Sequence, residues 1–118
     1  MAFETWRDEF EWNEHKSDEN LRLRGFDFAF ATLIFDGPRV VVEDVRRDYG
    51  ERRWVAIGVA DGVHLTVVYT DRLAGVRGRD RTYTHPARRI ISARRSNRSE
   101  RARYEKGITN FSPQPGAR

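Results

Sequence analysis

RRIISARRSNRSERARYE, residues 88–105, combines a short apolar strand with the start of a basic helix. The β-branched isoleucines are typical of a half-buried strand at residues 90–93. Asn97 can accept hydrogen bonds from the first free amides of a helix, and Glu100 can reach back to that cap. The strand is bracketed by arginines and leads directly into the helix. This arrangement predicts a phosphate-binding surface at the edge of the domain core.

The charge of the chain is unevenly distributed. Residues 1–71 contain 9 Lys and Arg against 15 Asp and Glu, whereas residues 72–118 contain 13 against 3. The two parts therefore carry net charges of −6 and +10, which add to the overall +4. A basic part of this strength predicts an anionic partner, either nucleic acid or an acidic protein. Attraction between the two parts within one fold is the alternative explanation.

Composition excludes several classes of protein. A chain of 118 residues with 38% hydrophobic residues is one domain by size. Because there is no cysteine, disulfides, thiolate metal sites and cysteine nucleophiles are excluded. The acidic N-terminus does not resemble a signal peptide, and the longest apolar run, residues 28–35, is too short to span a bilayer. We therefore expect a soluble, cytoplasmic protein.

The first part of the chain predicts a short strand and two helices. Residues 1–9 show no period and predict a loose extension, whereas residues 10–12 alternate like a strand. The polar stretch at residues 13–24, closed by Gly25, predicts the first helix. Residues 28–35 are apolar on nearly every side and predict a second helix, buried against a sheet.

Strands dominate the middle of the chain. The pattern predicts them at residues 39–45, 52–60 and 63–70, with Asp61-Gly62 as a tight hairpin turn. Residues 71–87 predict a long, mobile, basic loop before the closing strand and helix, and residues 107–118 predict a disordered tail. The result is an α+β fold, in which an antiparallel sheet of about four strands carries two N-terminal helices and a C-terminal helix on one face. The opposite face would be free to bind a ligand.

Charged and aromatic side chains near the strand ends form a candidate site. Metal-independent cleavage of RNA needs a base for the 2′-hydroxyl, stabilisation of the phosphorane and an acid for the leaving oxygen. Arginine suits the second task because its guanidinium fork matches phosphate oxygens, and Glu51 or His15 could serve as the base. The chain has no metal-ligand spacing and no cofactor-binding motif, so neither group is expected. The candidates are Lys16, Glu51, Arg53, Arg72, Arg89, Arg94, Arg95 and Tyr104.

Each candidate also has a structural explanation. An exposed arginine is more often a solvated side chain than a ligand, and Glu51 beside Arg53 can be a surface ion pair that contributes little. Tyr104 can equally be a packing residue of its helix. An arginine-rich patch without an active-site motif is also typical of a passive nucleic-acid binder.

Several short motifs of the chain occur together, in the same order and spacing, in one known family. They are Phe10-Glu11-Trp12-Asn13-Glu14 with Lys16, Asn20 and Gly25, then Gly50-Glu51-Arg52-Arg53 before Ile57-Gly58, then Val67-Val68-Tyr69-Thr70, and finally Arg89-Ile90-Ile91-Ser92-Ala93-Arg94-Arg95 with Glu100-Arg101 and Tyr104-Glu105. These motifs span residues 10–106 and resemble the BrnT-type toxins. Members of that family are the ribonuclease halves of bacterial type II toxin–antitoxin pairs.

The resemblance implies a RelE-like fold for residues 10–106, RNA cleavage, and neutralisation by a partner antitoxin, BrnA, which also binds DNA. An oligomer would form through this antitoxin. We expect Arg53 and Arg94 to stabilise the phosphate and the transition state, and Glu51 or Lys16 to transfer protons. The residues expected to bind the RNA are Arg72, Arg89, Arg95 and Tyr104.

The chain departs from the family pattern in two places. Leu23-Arg24 stand where the family usually has Lys-His, which removes one imidazole acid or base. Much of residues 73–87 is inserted where relatives have a short turn, which could reshape the RNA groove. The leading hypothesis is a toxin endoribonuclease that cuts RNA by metal-independent transesterification, and the alternative is a catalytically silent module that binds nucleic acid or protein. A titratable group within hydrogen-bond reach of the arginines would favour the enzyme.

Overall fold

The structure, a computed structural model, describes residues 10–72 and 86–111 of the chain. Within these residues it contains five strands, three α-helices and one 3₁₀ helix, which confirms the predicted α+β class. In chain order the elements are β1 (Phe10–Trp12), α1 (Glu14–Arg24), α2 (Phe28–Ala31), the 3₁₀ helix (Thr32–Asp36), β2 (Val40–Glu43), β3 (Trp54–Ala60), β4 (Val63–Arg72), β5 (Ala87–Arg95) and α3 (Arg98–Phe111).

The strands form one mixed sheet in the order β1-β5-β4-β3-β2. β2 to β5 pair antiparallel, as predicted, but β1 adds a fifth strand that runs parallel to β5. Phe10 lies opposite Arg88 in this pairing, so the contact joins residues that are far apart in the sequence. The alternation at residues 10–12 correctly predicted the strand itself. Local alternation contains no information about a distant partner, so the prediction of about four antiparallel strands left β1 out of the sheet.

The first face of the sheet carries the hydrophobic core, against α2 and the 3₁₀ helix. Ile34 packs against β3 at Gly58, where an added Cβ would lie 2.9 Å from the Cβ of Ile34. The glycine therefore allows the 3₁₀ helix to approach the strand closely. The largest fully buried side chains of this core are Phe28, Ile34, Leu65, Val67 and Ile90. Ile57 is equally buried but lies on the second face, opposite Thr66.

The second face of the sheet carries α3, so the prediction that all helices share one face is wrong. His64 of β4 lies opposite Val59, on the other side of the strand from the core residue Leu65. The ring of Tyr104 meets the ring of His64 edge-on at 5.4 Å between centroids. Gly107 lies so close to Val40 that an added Cβ would come within 2.6 Å of its Cγ2. These contacts give a mostly polar helix enough packing to lie on the sheet.

Part of the second face is not covered by α3, and we call it the open face. Its centre is a row of paired residues from three strands, Val55, Val68 and Ser92. Each of the three side chains is half-buried. Among the described residues, the open face is therefore a half-buried surface beside α3.

β5 contains one extra residue where it pairs with β4. Ile90 lies opposite Tyr69, whereas Ser92 lies opposite Val68, and Ile91 is the additional residue between them. Such a bulge shifts the alternation of side chains by one position for the remainder of the strand.

The N-terminal helices begin and end where the sequence predicts. Asn13 Oδ1 accepts from the amide of Lys16 at 3.0 Å, and Gly25 ends α1 with a φ of 87°. Asp27 caps α2 through the amide of Phe30 at 2.9 Å. The predicted second helix, residues 28–35, is a short α-helix that continues as a 3₁₀ helix.

The C-terminal part shows both an accurate prediction and two corrections. Asn97 Oδ1 accepts from the amide of Glu100 at 2.8 Å, and Glu100 Oε1 accepts from the amide of Asn97 at 2.9 Å, as predicted for this cap. α3 continues to Phe111, so the predicted tail cannot begin at residue 107. β4 and β5 pair as far as Arg72 and Ala87, which shortens the predicted loop. The predicted extension at residues 1–9, most of the 71–87 loop and the end of the tail lie outside the described residues.

Candidate active site

Glu51, Arg53 and Arg72, all predicted site residues, meet at one end of the open face. Glu51 Oε2 accepts from Arg53 Nε at 3.1 Å, and Glu51 Oε1 lies 3.1 Å from Arg72 Nη1. The three side chains are largely shielded from solvent. A carboxylate therefore lies within hydrogen-bond reach of two arginines, the feature expected of an enzyme rather than of a passive binder.

Arg89 and Lys16 complete this group, which we call the arginine cluster: Lys16, Glu51, Arg53, Arg72 and Arg89. Arg89 lies opposite Thr70, whose hydroxyl donates to the carbonyl of Arg52 at 2.6 Å. Arg89 and Arg53 thus flank Thr70 on adjacent strands. Burial lowers the pKa of the Lys16 ammonium, and the positive charges of Arg53 and Arg89 lower it further.

The position of Lys16 depends on how α1 is attached to the sheet. Ser17 Oγ accepts from the amide of Phe28 at 3.0 Å, which fixes α1 to α2. At the other end of the helix, Arg24 Nη1 donates to the carbonyl of Ala93 at 2.9 Å. Arg24 is one of the two residues that depart from the family pattern. Here it ties α1 to β5 and so has a structural role.

The loop between β2 and β3 supplies site residues that sequence analysis missed. The guanidinium of Arg53 lies over the ring of Tyr49, with its carbon atom 4.1 Å from the centroid. The hydroxyl of Tyr49 donates to Asp44 Oδ2 at 3.1 Å. In the sequence these residues belong to a polar loop without a periodic pattern, and the available signal is Tyr49 as the aromatic residue of that loop.

Arg94 lies on the same side of the sheet as the arginine cluster but at a distance from it along the strands. It is paired with Thr66, beyond the row of Val68. Both oxygens of Glu100 accept from the Arg94 guanidinium, at 2.8 and 2.7 Å. The hydrogen bonds from Arg94 lower the pKa of Glu100 to about 2, and the carboxylate in turn raises the pKa of Arg94. The charge of Arg94 is therefore balanced within the protein.

The structure does not bring Arg95 and Tyr104 together with the other predicted RNA-binding residues. Arg95 lies opposite Leu65, a core residue, so its side chain leaves the strand on the face that carries the core. Tyr104 packs edge-on against His64. His15, the alternative base, is an exposed residue of α1.

Two further observations concern metals and membranes. In residues 10–72 and 86–111, no three His, Asp or Glu side chains gather closely enough to hold a metal ion. None of the helices described above combines the length and the apolar character needed to cross a membrane.

Comparison with known families identifies the chain. The sequence profile of the ribonuclease toxin BrnT, of type II toxin–antitoxin systems, matches residues 12–100. This chain belongs to the BrnT family. The match confirms the resemblance seen in the sequence and includes the whole arginine cluster. BrnT proteins are ribonuclease toxins by description, which implies an RNA substrate and an antitoxin partner. No curated protein sequence gave a significant match.

Proposed function

We propose that this BrnT protein is a toxin endoribonuclease that cleaves RNA by metal-independent transesterification. The observation that carries the proposal is the arginine cluster, in which Glu51 bridges Arg53 and Arg72 and Arg89 lies opposite Thr70 on the same face of the sheet. Burial lowers the pKa of Lys16, and the charges of Arg53 and Arg89 lower it further, which supports its place beside them. Such a convergence provides both positive charge and groups that can transfer protons, at one place on the open face.

Four of the five members of the arginine cluster have a role in a step of the reaction. The 2′-oxygen attacks the adjacent phosphorus as Glu51 accepts its proton, so a bond from phosphorus to the 2′-oxygen forms. Arg53 and Arg89 stabilise the negative charge that develops on the phosphorane oxygens. The bond to the 5′-oxygen then breaks, and Lys16 donates a proton to this leaving group. A lowered pKa makes Lys16 a better acid near neutral pH. The products are a 2′,3′-cyclic phosphate and a 5′-hydroxyl.

The RNA backbone would follow the open face away from the reacting phosphate. Arg72 and Arg89 hold the phosphates near the reaction, while the row of Val55, Val68 and Ser92 gives the sugars and bases a half-buried surface. Arg94 would contact a more distant phosphate. Because Glu100 already balances its charge, we expect Arg94 to contribute less than Arg89.

The proposal extends to the partner and to the fold family. We infer a RelE-like fold, a cytoplasmic site of action, and inhibition by a BrnA-like antitoxin that also binds DNA and brings copies of the toxin together. The exposed arginines of α3 favour an antitoxin segment with acidic residues, because opposite charges steer association. These arginines are Arg98, Arg101 and Arg103.

The proposed reaction can be tested with purified protein and a short RNA in excess EDTA. We expect cleavage, a product that carries a 2′,3′-cyclic phosphate by mass spectrometry, and no cleavage when the reacting nucleotide has a 2′-O-methyl group. Arg53→Ala should lower the rate by roughly 100-fold or more, as expected for loss of a transition-state donor. Arg22→Ala, an exposed arginine of α1, is the matched control and should leave the rate unchanged.

Two results would contradict the proposal. Cleavage that stops in EDTA and returns with a divalent cation would exclude the metal-independent mechanism. RNA binding without cleavage under any condition would instead identify the catalytically silent binding module.

A further inference from the structure

The loop between β2 and β3, residues 44–53, is held in one shape by its own hydrogen bonds. Its two ends are joined by a bond from the amide of Asp44 to the carbonyl of Arg53, at 2.8 Å. Within the loop, the amide of Gly50 donates to Asp48 Oδ1 at 2.9 Å, and Gly50 adopts a φ of 76° that favours glycine. The loop therefore holds its residues in fixed positions next to the arginine cluster.

Asp44 is the anchor of this loop. Only 1% of its side chain is exposed, and Oδ1 and Oδ2 each accept from the Arg46 guanidinium at 2.8 Å. The amide of Arg46 and the hydroxyl of Tyr49 are further donors, at 3.3 and 3.1 Å. The hydrogen bonds from Arg46 lower the pKa of Asp44 to about 2, so the carboxylate is ionised at neutral pH. A buried carboxylate with four donors holds its partners firmly.

Tyr49 connects Asp44 to Arg53. Its hydroxyl is fixed by Asp44, and its ring lies beneath the guanidinium of Arg53 at 4.1 Å. Arg53 Nε also donates to Glu51 at 3.1 Å. The guanidinium is thus held on its face by a ring and on its edge by a carboxylate. These two contacts restrict a side chain that would otherwise sample many rotamers.

We propose that Asp44 and Tyr49 are positioning residues for RNA cleavage, which act by holding the guanidinium of Arg53 in place. This inference rests on the proposed function, because it assumes that Arg53 stabilises the transition state. A donor that is already in position spends no free energy on reorganisation during the reaction. The two residues should therefore affect kcat more than KM, and only as long as Arg53 is present.

A pair of substitutions at Tyr49 separates the ring from the hydroxyl. Tyr49→Leu removes the surface under the guanidinium and should lower kcat by between about 10- and 100-fold, the cost of a misplaced group. Its KM for a short RNA should change less than about twofold, because the phosphate contacts are retained. Tyr49→Phe keeps the ring but loses the bond to Asp44, so its kcat should lie between those of the wild type and Tyr49→Leu. Asp44→Asn, which loosens the anchor without changing its size, should give an intermediate kcat.

A double-mutant cycle tests whether Tyr49 acts through Arg53. In an Arg53→Ala background, Tyr49→Leu should cause no further loss of kcat, because the group that it positions is gone. A loop that merely stabilises the fold would give the same loss in both backgrounds. Thermal unfolding by circular dichroism shows whether each variant is folded at the assay temperature.

An NMR measurement tests the position of Arg53 without any enzymatic activity. In ¹⁵N-labelled, RNA-free protein, the ring current of Tyr49 should shift the Nε–H resonance of Arg53. The shift should persist in Tyr49→Phe and disappear in Tyr49→Leu. If the wild-type protein shows this shift but cleaves no RNA, the proposed function fails while the geometric part of the inference stands. If the wild-type protein cleaves RNA and Tyr49→Leu cleaves it equally well, the inference is overturned.

Discussion

Arg88 of β5 and Asp71 of β4 form a bidentate ion pair, with Nε–Oδ1 at 2.8 Å and Nη2–Oδ2 at 3.0 Å. The guanidinium of Arg88 also lies 4.9 Å from the ring centroid of Phe35 and 4.5 Å from that of Tyr69. Arg88 is thus a core residue, although its neighbour Arg89 belongs to the open face. Arg88 therefore stabilises the fold, whereas the adjacent Arg89 belongs to the proposed site.

This pair leads to a prediction about stability. Asp71→Asn should lower the free energy of unfolding by about 2–3 kcal/mol, because it leaves the charge of Arg88 poorly compensated where only 11% of that side chain is exposed. Glu19→Gln, which breaks the exposed pair with Arg22, should cost less than about 1 kcal/mol. Urea unfolding of both variants provides the measurement. Equal effects would mean that Arg88 is adequately held by its contacts with the rings.

The second prediction concerns growth. Induction of the wild-type protein alone should arrest bacterial growth, and Arg53→Ala should relieve the arrest. Arg94→Ala should relieve it less, since Glu100 already balances the charge of Arg94. Arg22→Ala is the matched control and should remain toxic. Immunoblots establish that the variants accumulate equally. Normal growth with abundant folded wild-type protein would count against the toxin.

The third prediction uses salt to separate the two faces of the sheet. If RNA binds the open face, Arg89→Ala should make the slope of log affinity against log salt concentration less steep. The magnitude of the slope should fall by about 0.7 to 1, the value for one lost phosphate contact. Arg95→Ala should leave the slope unchanged, because Arg95 leaves β5 on the core side. Fluorescence anisotropy with a labelled, uncleavable RNA supplies the data. A flatter slope for Arg95→Ala would mean that the RNA also contacts the other face.

The fourth prediction concerns pH. The pKa of Glu100 is about 2 in the folded protein, below the usual value of about 4.3, so folding favours its ionised form. Its contribution to stability is therefore complete above about pH 5 and is lost as the pH falls towards 2. Glu100→Gln keeps a side chain that can cap α3 but removes the charge. The difference in unfolding free energy between wild type and Glu100→Gln, from urea titrations, should shrink between pH 5 and pH 2. A difference that does not depend on pH would mean that the charge of Glu100 is irrelevant to stability.

The fifth prediction concerns the packing of α3. Gly→Ala inside a helix normally stabilises it by up to about 1 kcal/mol. Gly107→Ala should instead destabilise the protein, because the new methyl group would lie 2.6 Å from Val40 Cγ2. Val40→Ala in the same chain makes room and should restore stability. Thermal unfolding of the single and double variants tests this. A single variant that is more stable than wild type would show that α3 can move away from β2.

Features that depend on neighbours in the sequence could be predicted. The Asn97–Glu100 cap needs two side chains three residues apart, and the Asp61-Gly62 turn needs two residues that tolerate positive φ, 48° and 80° here. The chemistry of the charged residues made Lys16 and Arg53 candidates for one site, and the family resemblance added the roles expected of them.

Features that depend on distant partners could not be predicted. Strict alternation along β5 would place Arg89 and Arg95 on the same face, but the extra residue Ile91 exchanges the faces of Arg94 and Arg95. The link from Asp44 to Arg53 was missed for a similar reason, because it exists only once the loop has folded. The parallel partner of β1 is β5, which lies far away in the sequence.

The position of β5 between β1 and β4 has a consequence for the order in which the protein is made. β2, β3 and β4 can pair as they are synthesised, but β1 has no neighbour in the sheet until β5 has left the ribosome. Lys16 follows β1 and is carried into place with it. A growing chain that ends before residue 87 therefore holds Arg53 without the lysine beside it. If Lys16 donates a proton as proposed, the nascent protein cannot cleave RNA by this mechanism until β5 has been synthesised.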